Sequence, residues 1–130
     1  MKKRKQYNKK NQRSVGARYE QVAGKYLEEQ GYQILQYNYH CRQGEIDIIA
    51  REQGYLVFVE VKYRRTRKRG DAAGAVTEEK QKTISRVADY YMMEHHMYQD
   101  QKIRFDVVAI NGEKMEVLQG AFPYRGKVRF

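Results

Sequence analysis

Cysteine is nearly missing from this 130-residue chain, which holds one, Cys41. A single cysteine excludes an internal disulfide and fits a reducing compartment, so a cytoplasmic location is expected. Long apolar runs are missing as well. No stretch approaches the ~20 apolar residues that a membrane span needs. The start, MKKRKQYNKKNQR, is charged but has no apolar run behind it, which excludes a signal peptide. Acids are in deficit, with 16 Asp and Glu against 26 Lys and Arg and a formal net charge of +10. That imbalance points to a polyanionic partner, nucleic acid ahead of a membrane surface.

What remains reads as one domain with a basic extension. A hydrophobic fraction of 41% in 130 residues is enough for a core without staples. Residues 1–14 hold seven Lys or Arg and no acid, so a disordered basic arm is expected there, with the domain at 15–130. From Val15 to Gln30, Val15, Tyr19, Val22, Ala23, Tyr26 and Leu27 recur at helical spacing, with Ser14 as N-cap and Gly31 as stop. Glu20 lies on the edge of that stripe. Tyr32–Tyr39 reads as an edge strand, Glu45–Arg51 as a second and Tyr55–Tyr63 as a third, with a turn at Gln53-Gly54. Thr77 caps a second helix that runs to about His96, burying Ile84, Val87, Ala88, Tyr91 and Met92. His95 and His96 suit its C-terminal end and diverge by about 100°, which is poor spacing for a shared metal. Ile103–Ile110 is a fourth strand, and Asn111-Gly112 turns into a fifth at Met115–Phe122. A strand, a helix and a strand in that order make a crossover with the third and fourth strands parallel. The order α-β-β-β-α-β-β gives an α/β fold, a mixed sheet of about five strands with helices on both sides.

One stretch departs from a plain core. GEIDIIAREQGYLVFVEVKYR, from Gly44 to Arg64, places Asp47 in one apolar run and Glu60 and Lys62 in the next. Strand side chains alternate, so Glu60 and Lys62 share a face with Leu56 and Phe58, while Val57, Val59 and Val61 point away. The turn at 53–54 makes Asp47 a cross-strand neighbour of residues close to 60, with Cβ atoms about 4.5–5.5 Å apart. Two carboxylates that close repel unless something positive joins them, either a hydrated divalent cation or Lys62. A plain salt bridge leaves one of the two acids uncompensated, which favours the cation. Magnesium suits a few carboxylate oxygens plus retained waters. A metal there would activate water against a phosphodiester, with Lys62 stabilising the developing charge and Glu20 near the metal's waters. The run Arg64, Arg65, Arg67, Lys68 and Arg69 follows directly and suits a phosphate backbone. Tyr63, among these arginines, could stack on an unpaired base.

Asp47, then Glu60-Val61-Lys62 on the next strand, with Glu20 upstream, resembles the PD-(D/E)xK nuclease superfamily, which has the restriction-endonuclease-like fold. Within it the chain is similar to the YraN-like bacterial family, relatives of the archaeal Holliday junction resolvases. The matching segments are GARYEQVAGKYLEEQGYQIL, GEIDIIA, LVFVEVKYR, Ala75-Val76 with Lys80, and RFDVVAI. Ile46 stands where the superfamily's name has proline. The resemblance implies Mg2+ or Mn2+ held by Asp47, Glu60 and the Val61 carbonyl. It implies catalytic roles for Lys62 and Glu20, and an accessory place for Lys80 beside the nucleic acid. The function it implies is hydrolysis of DNA phosphodiester bonds, on branched or junction DNA. Cutting a symmetric junction takes two active sites, so a homodimer goes with that reading. The alternatives are a non-catalytic nucleic-acid-binding module on the same fold and a basic scaffold. The paired acids favour the nuclease, because they would oppose DNA binding without a cation.

Overall fold

The structure, a computed structural model, describes residues 2–64, 76–97 and 100–126, with side chains described from residue 16 onward except at 64. Its elements are α1 (Lys2–Glu29), β1 (Gln33–Cys41), β2 (Gly44–Glu52), β3 (Tyr55–Arg64), α2 (Glu78–Glu94), β4 (Ile103–Asn111) and β5 (Lys114–Leu118). The five strands form one sheet in chain order. β2 runs antiparallel to both β1 and β3, β3 and β4 are parallel, and β5 returns antiparallel to β4. The expected mixed sheet is therefore present, with α2 as the crossover between its parallel pair.

Each face of the sheet carries a helix and its own core. On one face, Ala23 and Leu27 of α1 pack on Ile48, Ala50, Val57, Val59, Val108 and Ile110. On the other, Ile84, Val87, Ala88, Tyr91 and Met92 of α2 pack on Ile46, Ile49, Leu56, Phe58 and Phe105. β3 is apolar on both sides because it is covered on both sides. Among the described residues no helix is long and apolar enough to cross a membrane.

Several boundaries differ from the expectation. α1 starts at Lys2, so its helical backbone runs through the segment expected as a disordered arm, and Ser14 lies inside the helix instead of capping it. Lys, Arg and Gln are good helix formers, and the first glycine comes at Gly16. The packed stripe of α1 is also narrower than expected, with Val22 45% exposed. Its end agrees. Gly31 has φ 98°, and the Tyr32 and Gly31 N–H groups donate to the Leu27 and Glu28 carbonyls, a double hydrogen bond that closes a helix over a left-handed residue. Gln53 and Gly54 both have positive φ, the turn that matches hairpin twist. α2 stops at Glu94, with His95 as its C-cap, and Thr77 caps its start. β5 is shorter than expected because Gly120, at φ 59°, turns the chain. Beyond that turn the Ala121 N–H donates to the Phe105 carbonyl, and Phe122 enters the α2-side core.

Candidate metal and phosphate site

Glu60 follows Leu56 and Phe58 on the α2 face of β3 and is 6% exposed. Two ammonium groups reach the same oxygen of this carboxylate. Lys62 Nζ stands 3.6 Å from Glu60 Oε2 and Lys80 Nζ stands 3.9 Å from it. Lys62 arrives by the two-residue period of its strand. Lys80 arrives from the first turn of α2, so this helix does turn Lys80 toward the strand end.

Asp47 reaches the same place through a break in strand regularity. Registered pairing of β2 with β3 stops at Ile48↔Val59. Beyond it, the Val61 N–H donates to Asp47 Oδ2 at 2.8 Å, so a side chain takes the place of a ladder carbonyl. In β1 and β2 the pairs Tyr37↔Ile48 and Tyr39↔Ile46 flank Asn38 and Asp47. Asn38 has φ 54°, the left-handed region that asparagine tolerates better than most residues. Across this point the faces switch. Tyr39 and Ile46 belong to the α2-side core, whereas Ile48 belongs to the α1 side. Asp47 sits at the switch, where its carboxylate can turn along the sheet toward Val61. The N–H and C=O of one strand residue point to one edge, so the Val61 carbonyl shares the side on which its N–H meets Asp47.

Charge makes this corner unstable in isolation. Burial first, and the adjacent Glu60 second, push the Asp47 carboxyl up to about 7, against the Val61 hydrogen bond, which lowers it. Glu20, carried in by α1, is also pushed up to about 7, by burial first and then by Asp47 and Glu45, with His40 opposing. Both acids hold protons that ordinary carboxylates would have released. A contrast within the same sheet shows what neutralisation looks like. Asp106 is fully buried, yet it accepts from the Tyr32 hydroxyl at 2.6 Å, from Arg104 Nε and Nη2 at 2.9 Å each, and from the Gly120 N–H at 2.9 Å. Arg104 Nη2 also stands 2.9 Å from Glu52 Oε1. Asp106 is thus held by four donors, whereas Asp47 accepts from the Val61 N–H and is pushed up by its neighbour Glu60.

The donors here are hard oxygens, the chemistry of Mg2+ or Mn2+. Among the described residues no three His, Cys, Asp or Glu side chains are arranged to hold a metal ion. An open site of two carboxylates and the Val61 carbonyl fits a cation that keeps several waters.

The other expected residues have varied places. Arg64 ends β3, and its side chain is not among those described. Arg65, Arg67, Lys68 and Arg69 lie outside the described residues. Tyr63 stacks on Tyr19, with ring centroids 4.2 Å apart and planes 19° from parallel. His95 stacks on Tyr91 and its Nδ1 lies 2.9 Å from the Tyr91 carbonyl, a structural role. Asp106 and Asn38 carry no expectation from sequence. An acid inside the apolar run RFDVVAI is the available signal for the first. For the second there is a lone asparagine in a strand.

Residues 19–110 match the profile described as "Uncharacterised protein family UPF0102". The chain belongs to the UPF0102 family. The matched span contains Glu20, Asp47, Glu60, Lys62 and Lys80, every described member of the corner. A UPF0102 protein of Lachnoclostridium phytofermentans is 47% identical over 116 residues, covering 89% of this chain and 98% of that protein. One from Legionella pneumophila strain Philadelphia 1 is 42% identical over 105 residues, covering 79% and 89%. One from Syntrophus aciditrophicus is 47% identical over 107 residues, covering 79% and 84%. UPF0102 membership agrees with the YraN-like family expected from the motifs.

Proposed function

We propose that this UPF0102 chain is a metal-dependent endonuclease of the PD-(D/E)xK kind that hydrolyses DNA phosphodiester bonds, with branched or junction DNA as substrate. The observation that carries the reading is the Asp47–Glu60 pair, two carboxylates crowded together at a strand end where Lys62 and Lys80 converge. A structural acid in this sheet, Asp106, is surrounded by donors, whereas Asp47 and Glu60 crowd each other, a repulsion that a cation between them would relieve. Bound there, Mg2+ or Mn2+ would lower the pKa of a water and polarise the phosphodiester. Asp47, Glu60 and the Val61 carbonyl would hold it. Lys62 and Lys80 place positive charge where a phosphate oxygen gains negative charge, which is the electrostatic work such a reaction asks of a protein. Glu20, which holds a proton more tightly than an ordinary glutamate, faces the corner from α1 and orients water there.

The basic run from Arg64 to Arg69 would grip the backbone, so phosphate contacts adjoin the corner on the chain. A purely binding module is disfavoured, since buried acids repel a phosphate backbone without a cation. A homodimer in the cytoplasm belongs to this proposal, because a symmetric junction offers two equivalent strands. The test is a cleavage panel of duplex, single-stranded, flap and four-way-junction DNA with Mg2+, Mn2+ or EDTA. Cleavage with either metal and none with EDTA is expected. Glu60→Ala and Lys62→Ala should each lower it by at least about 10²-fold while the fold is kept. Unchanged cleavage in both variants would overturn the assignment.

A further inference from the structure

Tyr63 follows Lys62 at the end of β3, and Tyr19 precedes Glu20 on α1. Their rings stack at 4.2 Å and 19°. One face of Tyr63 is therefore spent on Tyr19, yet the residue is still 40% exposed. By strand alternation Lys62 faces α2 and Tyr63 faces α1, so an ammonium and an aromatic ring flank the same strand end.

Resting on the nuclease reading, we propose that the open face of Tyr63 stacks on an unpaired nucleobase next to the phosphate held at the corner. The substrate class is then DNA with an unpaired nucleotide at the cut: a flap, a single strand or the opened centre of a junction. In an intact duplex each base face is covered by its neighbours, so a stacking platform finds no purchase. An unstacked base offers its whole face, with little dependence on sequence. Tyr19 prepares the platform by fixing the Tyr63 ring before the base arrives, so little side-chain freedom is given up on binding. Lys62 places positive charge at the same strand end, and stacking beside positive charge is the usual design for holding single strands.

The test uses the full chain with Ca2+ replacing Mg2+, so that binding is read without cleavage. Anisotropy of a labelled flap DNA is compared with the same flap carrying abasic sites along its single-stranded arm. For the wild type, removing the bases should weaken binding about tenfold or more. Tyr63→Leu should bind the intact flap as weakly as the wild type binds the abasic one, and should weaken no further on the abasic flap. The chain has no tryptophan, so Tyr63→Trp carries a single one. Its emission should be quenched by the intact flap and left unchanged by the abasic flap. This arm decides the matter where Tyr63→Leu fails to fold. An abasic flap bound as tightly as the intact one, or an abasic penalty that persists in Tyr63→Leu, overturns the stacking proposal. Base-dependent binding without cleavage in Mg2+ would overturn the nuclease reading alone. No DNA binding at all would overturn both.

Discussion

Asp106 and Asp47 are acids of the same type in strands of the same sheet, and their partners set them apart. Asp106 meets a hydroxyl, a backbone N–H and both arms of a guanidinium, all within 2.9 Å. Arg104 in turn lies over the Tyr32 and Tyr55 rings at 5.9 and 5.0 Å. Removing one partner from such a buried ion pair strands the other, so Asp106→Ala should cost about 3–5 kcal/mol. Tyr32→Phe, which removes one donor of four, should cost about 1–2 kcal/mol. Urea unfolding checks both. Asp47 has the opposite character. Its folded proton affinity is raised from 3.8 to about 7, so the folded state binds a proton that the unfolded chain releases. The stability that this proton contributes is complete below about pH 4 and is lost as pH rises toward 7, by up to about 1.4 kcal/mol per pH unit. In EDTA the melting temperature of the wild type should fall across that window. Asp47→Asn should make the fall shallower, leaving the share that Glu20 contributes, and melt higher than the wild type above pH 7. Added Mg2+ should restore the wild type at pH 7.5 and leave Asp47→Asn unmoved.

At the scale of elements, the corner depends on a defect. The left-handed Asn38 in β1 stands opposite Asp47 in β2, and the two strands exchange faces there together. Asn38→Val puts a β-branched residue where φ is positive, at a cost of about 1–2 kcal/mol, and should cut cleavage by moving Asp47. Asn38→Gly keeps that conformation available, and its cleavage should stay near the wild-type level. Thermal melts with parallel cleavage assays separate the two variants. The strands and their order were legible because their apolar alternation, turn pairs and βαβ order all agree. Asp47, Glu60 and Lys62 stood out as charges in apolar runs. Asn38 did not, since a single asparagine says little about φ without its cross-strand partner. α1 begins at Lys2 and not at the expected Val15, because Lys, Arg and Gln favour helix and no glycine comes before Gly16. Lys80 could not be settled from sequence, because its direction depends on how α2 lies across the sheet.

For the whole molecule, the +10 charge is the quantity that a partner first meets. Deleting residues 1–13 removes seven basic residues, and the described packing of α1 begins only at Tyr19. The shortened chain should keep its fold and its chemistry. Its DNA affinity should fall less steeply with salt, the log–log slope shrinking by about 0.9 for each phosphate that the deleted residues had neutralised. An unchanged slope would show that this segment does not touch the backbone. The two outer strands have a consequence for self-association. β1 carries a register shift between Ile34 and Gln36 as well as the left-handed Asn38, while β5 has five residues and sets a lysine and a glutamate outward. A straight row of open backbone groups is what lets one sheet template another, and neither margin offers it. Two copies of this chain would therefore meet through side chains, and their sheets would stay separate.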